Sequence, residues 1–310
     1  MPFPVVLGMD FGGSKIAAAV ADPYGTVLGA RAIAVRAAVS AVDTFARGIG
    51  FAHALLADVV PDRSLAAVGA CTFGIPHDDW IDLAPTIAGW AELPFGSELR
   101  RAFPGVAVRT ATDVKAAARA EAEHGALAGC DPGLYVNLGT GLAVALVVGG
   151  VVVDGRHRAA GEIGYNLRQP GIDAGAERLE DAVSGKALDI AAADLLGAPD
   201  LAEFFEHAEI APSAARVRDL FLTELCFHLV NLTIALDPER VVVGGGLVRS
   251  WDRLRGPIAD ALQSAVPFPP ELVIAAHPFD APLLGALALG RSALLDVTDI
   301  PDVISEGAQT

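Results

Sequence analysis

Along the chain, short apolar runs alternate with glycine corners, and the corners fall into two similar sets. Val5 to Met9 runs into Asp10-Phe11-Gly12-Gly13-Ser14-Lys15, and a second apolar run, Ile16 to Val20, ends at Asp22-Pro23-Tyr24-Gly25. Runs of this length between glycine corners predict a strand, a tight turn and a second strand, so the chain opens on a β-hairpin. Val27 to Val35 predicts a third strand, Ala41 to Leu56 an alanine-rich helix, and Ala66 to Phe73 a strand that ends at Gly74-Ile75-Pro76-His77. Strand, helix and strand in this order imply a parallel crossover and an α/β layer. From Asp78 to Trp90 the pattern is irregular: either a loop that lines a site or a surface loop anchored by its tryptophans.

Val106 to Arg109 predicts a short strand, and Thr110-Ala111-Thr112-Asp113 leads into a helix over Val114 to His124. Thr112 or Asp113 suits the helix N-cap. The alternative for Asp113 is a carboxylate at a strand end that accepts a proton from a substrate hydroxyl. Leu134 to Gly141 then repeats the opening pattern: apolar strand, polar residue, glycine bend, and a second strand, Leu142 to Val148, with a Gly149-Gly150 turn before Val151 to Val153. Asn137 stands where Asp10 stood and Gly139 where Gly12 stood, which implies an internal duplication with one hairpin in each lobe. Further on, Ala176 to Leu195 reads as helix, with Glu177, Glu180 and Asp181 near its start, where acidic residues favour the helix dipole. Asp200 to Glu206 and Ala211 to Leu236 predict more helix, Val241 to Val243 a buried strand, Leu272 to Ala275 a last strand, and Pro282 to Leu295 a final helix. The acidic tail from Asp296 onward is expected to fray.

The glycine bends carry the candidate chemistry. Glycine lets backbone N–H groups approach an anion closely, and Ser14 and Lys15 add a hydroxyl and a cation. Asp10 would repel phosphate directly, so it makes sense facing Mg2+ or its waters. The plainer alternatives are an ordinary glycine hairpin and a solvated Lys15. Gly244-Gly245-Gly246, between an apolar strand and a following helix, either admits a flat or charged ligand or serves packing alone.

Composition narrows the choices. A chain of 310 residues with 53% hydrophobic content can bury two cores, and a net charge of −16 offers no basic stripe for nucleic acid. No signal-type segment opens the chain, and Leu134 to Val153 reads as buried strands because Asn137, Thr140 and glycines interrupt it, so neither membrane nor export is expected. Three scattered cysteines make no disulfide framework, and a reducing, cytoplasmic setting is the expectation.

With these stretches in order, the sequence resembles the ROK family of sugar kinases, within the actin, Hsp70 and hexokinase superfamily. Asp10 to Lys15 is similar to the family's first phosphate motif, Leu138-Gly139-Thr140-Gly141 to its second, Asp237 to Gly246 to its adenosine motif, and Gly161-Glu162-Ile163-Gly164 to its sugar motif. The resemblance implies an α/β, two-lobed, ribonuclease H-like fold of the actin and hexokinase type with a cleft between lobes. The small lobe would be 1–112, completed by the helix 282–296, and the large lobe 113–281. It implies ATP and Mg2+, with Asp10 facing the metal directly or through water and Asp113 as catalytic base. Glu162 and Glu180 would be sugar ligands, and a homodimer is expected.

The departures concern the sugar pocket. Where the family has a His and then a cysteine-rich stretch that hold a structural zinc, this chain has Tyr165 and no cysteine over residues 166–179, so no zinc is expected and the loop must be held otherwise. Thr112 replaces an Asn before the base, His77 a Gly, and Thr86 an Asn. His77 is either a new substrate contact or merely solvated. The implied activity is phosphorylation of a hydroxyl, the primary one, on a sugar-like acceptor other than plain glucose: an amino sugar, an N-acetylhexosamine, fructose or a cyclitol. The rival is a non-catalytic sugar sensor. Relatives of that kind that bind DNA carry a helix-turn-helix ahead of the first phosphate motif, and only nine residues precede Asp10 here.

Overall fold

Two five-stranded sheets with the same strand order organise the chain. The computed structural model describes residues 3–35, 40–84, 87–169, 177–197 and 201–298. In chain order the first elements are β1 (Val5–Phe11), β2 (Lys15–Ala21), β3 (Val27–Ala34), α1 (Ala41–Val59), β4 (Leu65–Thr72), β5 (Ile75–Pro76), β6 (Ile81–Asp82), α2 (Phe95–Ala102), β7 (Ala107–Thr112) and α3 (Asp113–His124). Then follow β8 (Gly133–Leu138), β9 (Leu142–Val148), β10 (Val151–Val152), α4 (Gly185–Leu196), α5 (Leu201–His207), α6 (Pro212–Leu236), β11 (Arg240–Gly244), α7 (Trp251–Ala265), β12 (Glu271–Ile274) and α8 (Ala281–Thr298). The sheets run β3-β2-β1-β4-β7 and β10-β9-β8-β11-β12. Each is an antiparallel three-strand meander extended by two parallel strands, so the duplication read from the two glycine bends extends to whole sheets.

The chain divides into two units, Met1–Ala120 with Pro282–Thr310, and Glu121–Ala281. In the first, α1 and α2 cover one face of the sheet, with Phe11, Ile16, Phe45, Leu55, Trp90, Phe95 and Leu99 buried together. The other face meets α8 at glycines. A Cβ on Gly69 of β4 would collide with the Ala286 carbonyl, one on Gly290 would lie 2.5 Å from Val6, and one on Gly285 would collide with the Ala116 carbonyl of α3. Strand, α8 and α3 therefore touch backbone to backbone, which only glycine permits. In the second unit the core gathers Leu134, Val136, Leu142, Phe204, Phe221, Leu225, Leu229, Val243, Leu254 and Ile258.

Three local readings change. Helix α2 was not anticipated, although Phe95, Leu99 and Phe103, spaced four apart and buried, carry the helical period. The same spacing at Leu254, Ile258 and Leu262 underlies α7. The helix expected from Ala176, a residue outside those described, starts instead at Gly185, where the Ser184 hydroxyl accepts the Ala187 N–H at 3.1 Å as an N-cap. Glu180 and Asp181 lie on a separate 3-10 turn, Leu179–Asp181, so the dipole of an α-helix is not their reason for being there.

Gly69→Val is expected to lower unfolding free energy in urea by about 3 kcal/mol, because neither facing backbone can yield. Gly50→Ala, inside α1 where a Cβ meets nothing within 4 Å, should instead add about 0.5 to 1 kcal/mol.

Candidate functional site

In the first unit the parallel strands β1, β4 and β7 end along one sheet edge, the edge where α/β proteins hold ligands. Register places Asp10 beside Cys71 and Cys71 beside Ala111; in the next row stand Phe11, Thr72 and Thr112. Successive residues of a strand face opposite sides, so the two rows do different work. Phe11 stacks on Phe45 at 5.3 Å and meets Phe95 edge-on, while the Trp90 indole N–H donates to the Thr72 hydroxyl at 2.9 Å. Asp10 lies on the opposite face, 7% exposed. The Cys71 thiol lies 3.6 Å from the Asp10 carboxylate and 3.4 Å from the Pro282 carbonyl, and it can donate to either. Burial first, then the charges of Asp10 and Asp113, push the Cys71 thiol well above the usual range, so it remains neutral.

Asp113 is the first residue of α3 and is half-buried. The capping role belongs to Thr112, whose hydroxyl oxygen accepts the Lys115 N–H at 3.2 Å, whereas Asp113 accepts its neighbour Val114 N–H at 2.8 Å. Thr112 itself is 4% exposed, so its hydroxyl offers a ligand little surface. Lys115, also buried, went unnoticed in the sequence because one lysine on a helix carries no pattern. At the turn between β1 and β2, the Gly12 N–H donates to the Lys15 carbonyl at 3.0 Å, leaving Gly13 and Ser14 exposed at the tip and Lys15 half-buried.

His77 sits on the small β5–β6 hairpin. Its Nε2 is 3.0 Å from Asp82, its ring stacks on Trp80 at 4.7 Å, and the Trp80 indole N–H donates to the same carboxylate at 3.1 Å. Trp90 anchors the irregular stretch in the core, and Trp80 stays exposed on its surface. Thr86 lies outside the described residues.

In the second unit β8 and β11 run parallel with Asn137 opposite Gly244. The turn Gly139 to Gly141 is closed by the Gly139 N–H donating to the Gly141 carbonyl at 3.1 Å. The first amides of α4 hold that turn: Gly185 donates to the Gly139 carbonyl at 2.8 Å and Lys186 to the Thr140 carbonyl at 3.2 Å. In a trans peptide N–H and C=O point in opposite directions, so the Thr140 and Gly141 amides point away from α4. A Cβ on Gly244 would collide with the Tyr135 hydroxyl, and one on Gly245 would lie 2.5 Å from the Leu138 carbonyl. Packing thus accounts for two of the three glycines, while Gly246 is exposed, with only the Arg249 guanidinium near it. Arg249 in turn stacks on Phe279 at 4.2 Å. Behind this turn, buried Glu121 accepts three backbone N–H groups, from Ala126, Ala276 and His277, at 2.7, 3.0 and 2.8 Å. The Pro278 carbonyl next in line accepts the Gly245 N–H at 3.1 Å, so Glu121 supports the glycine turn through one short segment. Nothing in the local sequence marks a glutamate at a helix end for this role.

Glu162, Tyr165 and Glu180 come together near the same turn. Glu180 accepts the Leu142 N–H at 2.8 Å, and Gly164 packs against the Glu180 side chain. The Arg178 guanidinium covers the Tyr165 ring at 4.4 Å. Burial raises the Tyr165 pKa, Arg178 opposes the rise, and Glu180 and Glu162 add to it. The described ends of the segment 166–179 are pinned to each other and to α6. Leu179 N–H donates to the Asn166 carbonyl at 2.8 Å, and Arg168 makes a bidentate pair with Glu224 at 2.6 and 2.7 Å. Among the described residues no group of three or more His, Cys, Asp and Glu is arranged to hold a metal ion.

The ROK family model matches residues 6–293. The bifunctional enzyme NanE/NanK of Brucella melitensis biotype 1 is 29% identical over 94% of this chain, which spans 55% of that protein, about half the length of the first curated relatives it matches. The kanosamine kinase of Amycolatopsis mediterranei is 27% identical over 87% of this chain and 91% of its own. Among solved structures, a ROK family glucokinase from Streptomyces griseus in complex with glucose and AMPPNP superposes with a TM-score of 0.74 at 26% identity, covering 93% of this chain and 99% of that one.

Glu121→Ala removes the acceptor of three part-buried N–H groups, and at about 1 kcal/mol for each the melting temperature should drop. Unchanged melting would show that the three bonds contribute nothing.

Proposed function

The chain belongs to the ROK family, and we propose that it transfers the γ-phosphoryl group of ATP to a hydroxyl, the primary one, of a sugar or sugar-like acceptor other than plain glucose. The observation that carries this reading is the placement of Asp113. It stands at the end of β7 on the Asp10 side of the sheet, and it is relieved of the capping role by Thr112. A half-buried carboxylate in that position accepts the acceptor's hydroxyl proton as the oxygen attacks. The new O–P bond forms while the bond from the γ-phosphorus to the bridging oxygen breaks, and ADP leaves with the electron pair.

The turn Gly139 to Gly141 aims two amides at a phosphate without reorganising, because α4 already fixes its carbonyls. The exposed Gly246, beside Arg249, leaves room for the nucleotide where a side chain would intrude. Asp10, with Ser14 and Lys15 at the tip of its hairpin, is a hard oxygen donor of the kind Mg2+ takes one or two of, the rest coming from water and phosphate. Mg2+, when bound, supplies neutralisation of the phosphate charge. Asn137, at the matching place of the second sheet, lacks that charge.

On the acceptor side Glu162 and Glu180 bind hydroxyls, and Tyr165, held by Arg178, and His77, held by Asp82 and Trp80, replace smaller or more flexible groups. The likeness to a kanosamine kinase supports an amino sugar, and the likeness to N-acetylmannosamine kinases supports an N-acetylhexosamine, ahead of fructose or a cyclitol.

ADP release should depend on one of these acceptors when the protein is given Mg-ATP and a panel of hexoses, amino sugars, N-acetylhexosamines and cyclitols. No acceptor-dependent release from a folded sample overturns the kinase reading. Asp113→Asn should cut kcat by about 10^3-fold with nucleotide affinity retained. Near-normal turnover in that variant removes Asp113 from the role of base.

A further inference from the structure

The strap of chain that leaves from Tyr165 and returns through Glu180 lies along α6 in matched steps. Its two described arms pair antiparallel: Leu167 bridges to Arg178, and the Leu179 N–H donates to the Asn166 carbonyl at 2.8 Å. On the outgoing arm Asn166 and Arg168 both reach α6. Asn166 Nδ2 lies 3.2 Å from His228 Nδ1, and the Arg168 guanidinium donates to both oxygens of Glu224 at 2.6 and 2.7 Å. Two residues of extended chain span roughly 6.5 Å and four residues of helix roughly 6 Å, so the contacts at 166 and 168 fall in register with His228 and Glu224, one turn apart. Glu177 on the returning arm also pairs with Arg168, whereas Arg178, in extended backbone, turns the other way and covers the Tyr165 ring at 4.4 Å. One side of the strap is fastened to α6, and the other holds Tyr165.

We propose that Arg168 is a positioning residue for the acceptor: its paired bonds to Glu224 fix the strap on α6 and thereby set where Tyr165 stands relative to Glu180. This rests on the acceptor-side reading of Glu162, Tyr165 and Glu180 given above. The Arg168 and Glu224 side chains are 17% and 16% exposed, so the pair is screened far less by water and salt than exposed pairs such as Arg31 with Asp58. The fork meets both carboxylate oxygens, which fixes direction as well as distance; a lysine would supply the charge without the direction.

The second tie, from Asn166, is weaker. An amide NH2 only donates, so His228 Nδ1 accepts and the ring is neutral there, in keeping with the burial that lowers the His228 pKa against the opposing charge of Glu224. Hydrogen bonds between charged groups are the stronger kind, so Arg168 carries the larger share of the fastening. Glu180 is tied separately, accepting the Leu142 N–H of β9 at 2.8 Å. Loosening the strap at Arg168 therefore shifts Tyr165 while Glu180 stays in place, and an acceptor that must meet both loses its fit.

Calorimetry of sugar binding without nucleotide tests this, with glucosamine, N-acetylmannosamine and fructose as probes and the tightest binder carried forward. Arg168→Met should weaken that binding by about 10-fold while affinity for the ATP analogue AMPPNP stays within about 2-fold. Exchanging the pair, Arg168→Glu with Glu224→Arg, should recover most of the loss. Should Arg168→Met misfold, Glu224→Gln removes the charge from the other partner and should weaken sugar binding in the same direction. Glu162→Gln separates the two claims. If it weakens sugar binding and a folded Arg168→Met does not, the positioning role fails and the acceptor site stands; if neither does, the acceptor site is misplaced and the positioning role falls with it. Equal losses of sugar and nucleotide affinity, a change in melting temperature alone, or no binding of any of the three probes to the wild type would each overturn the proposal.

Discussion

Asp10 and Phe11 are neighbours on one strand and therefore face opposite sides of one sheet, and much of the first unit follows from that alternation. Phe11 is locked into an aromatic cluster with Phe45, Trp90 and Phe95, whose burial is worth about 2 kcal/mol or more for each ring. A slip of one residue would carry Phe11 out of that core, so the cluster fixes the register, and the register fixes where the Asp10 carboxylate points. Positioning of a charged group is thus secured by apolar packing on the far side of the sheet. The Thr72–Trp90 bond extends the same logic to the next strand, with Cys71 again on the Asp10 side.

The two hairpins share one strand pattern and differ at their turns. Phe11 pairs with Ile16, so four residues form the first turn; Leu138 pairs with Leu142, so three form the second. The longer turn has room for a serine and a lysine at its tip. Both are closed by a backbone bond of their own, and the shorter one is braced from behind by the first amides of α4. An acidic residue survives only in the first copy, where nearby Cys71 is kept neutral and adds no further negative charge.

Much of this was legible in the sequence, and the failures have physical causes. Glycine corners and apolar runs announced the longer strands well because strand period and turn chemistry agree there, as at Val5 to Val20 and Leu134 to Val148. The start of α4 was misplaced because Glu180 and Asp181 imitate the acidic first turn of a helix, when Glu180 in fact serves the Leu142 amide. Asp113 was ambiguous between cap and base, since sequence cannot tell which of two adjacent polar residues turns its side chain to the helix; the Thr112 bond decides the cap. Glu121 was missed altogether, as its three partners lie partly far along the chain, at Ala276 and His277.

The docking of α4 on the turn Gly139 to Gly141 has a consequence for how the chain can vary. A Cβ on Gly185 would stand 2.5 Å from the Gly139 carbonyl, so the helix start and the turn share one clearance. Mutational effects at the two positions should not add: any side chain tolerated at 185 must shift the carbonyl at 139, and with it the direction of the Thr140 amide. Drift in a remote-looking helix therefore reaches the Gly139 to Gly141 turn directly, and the pair can change only together.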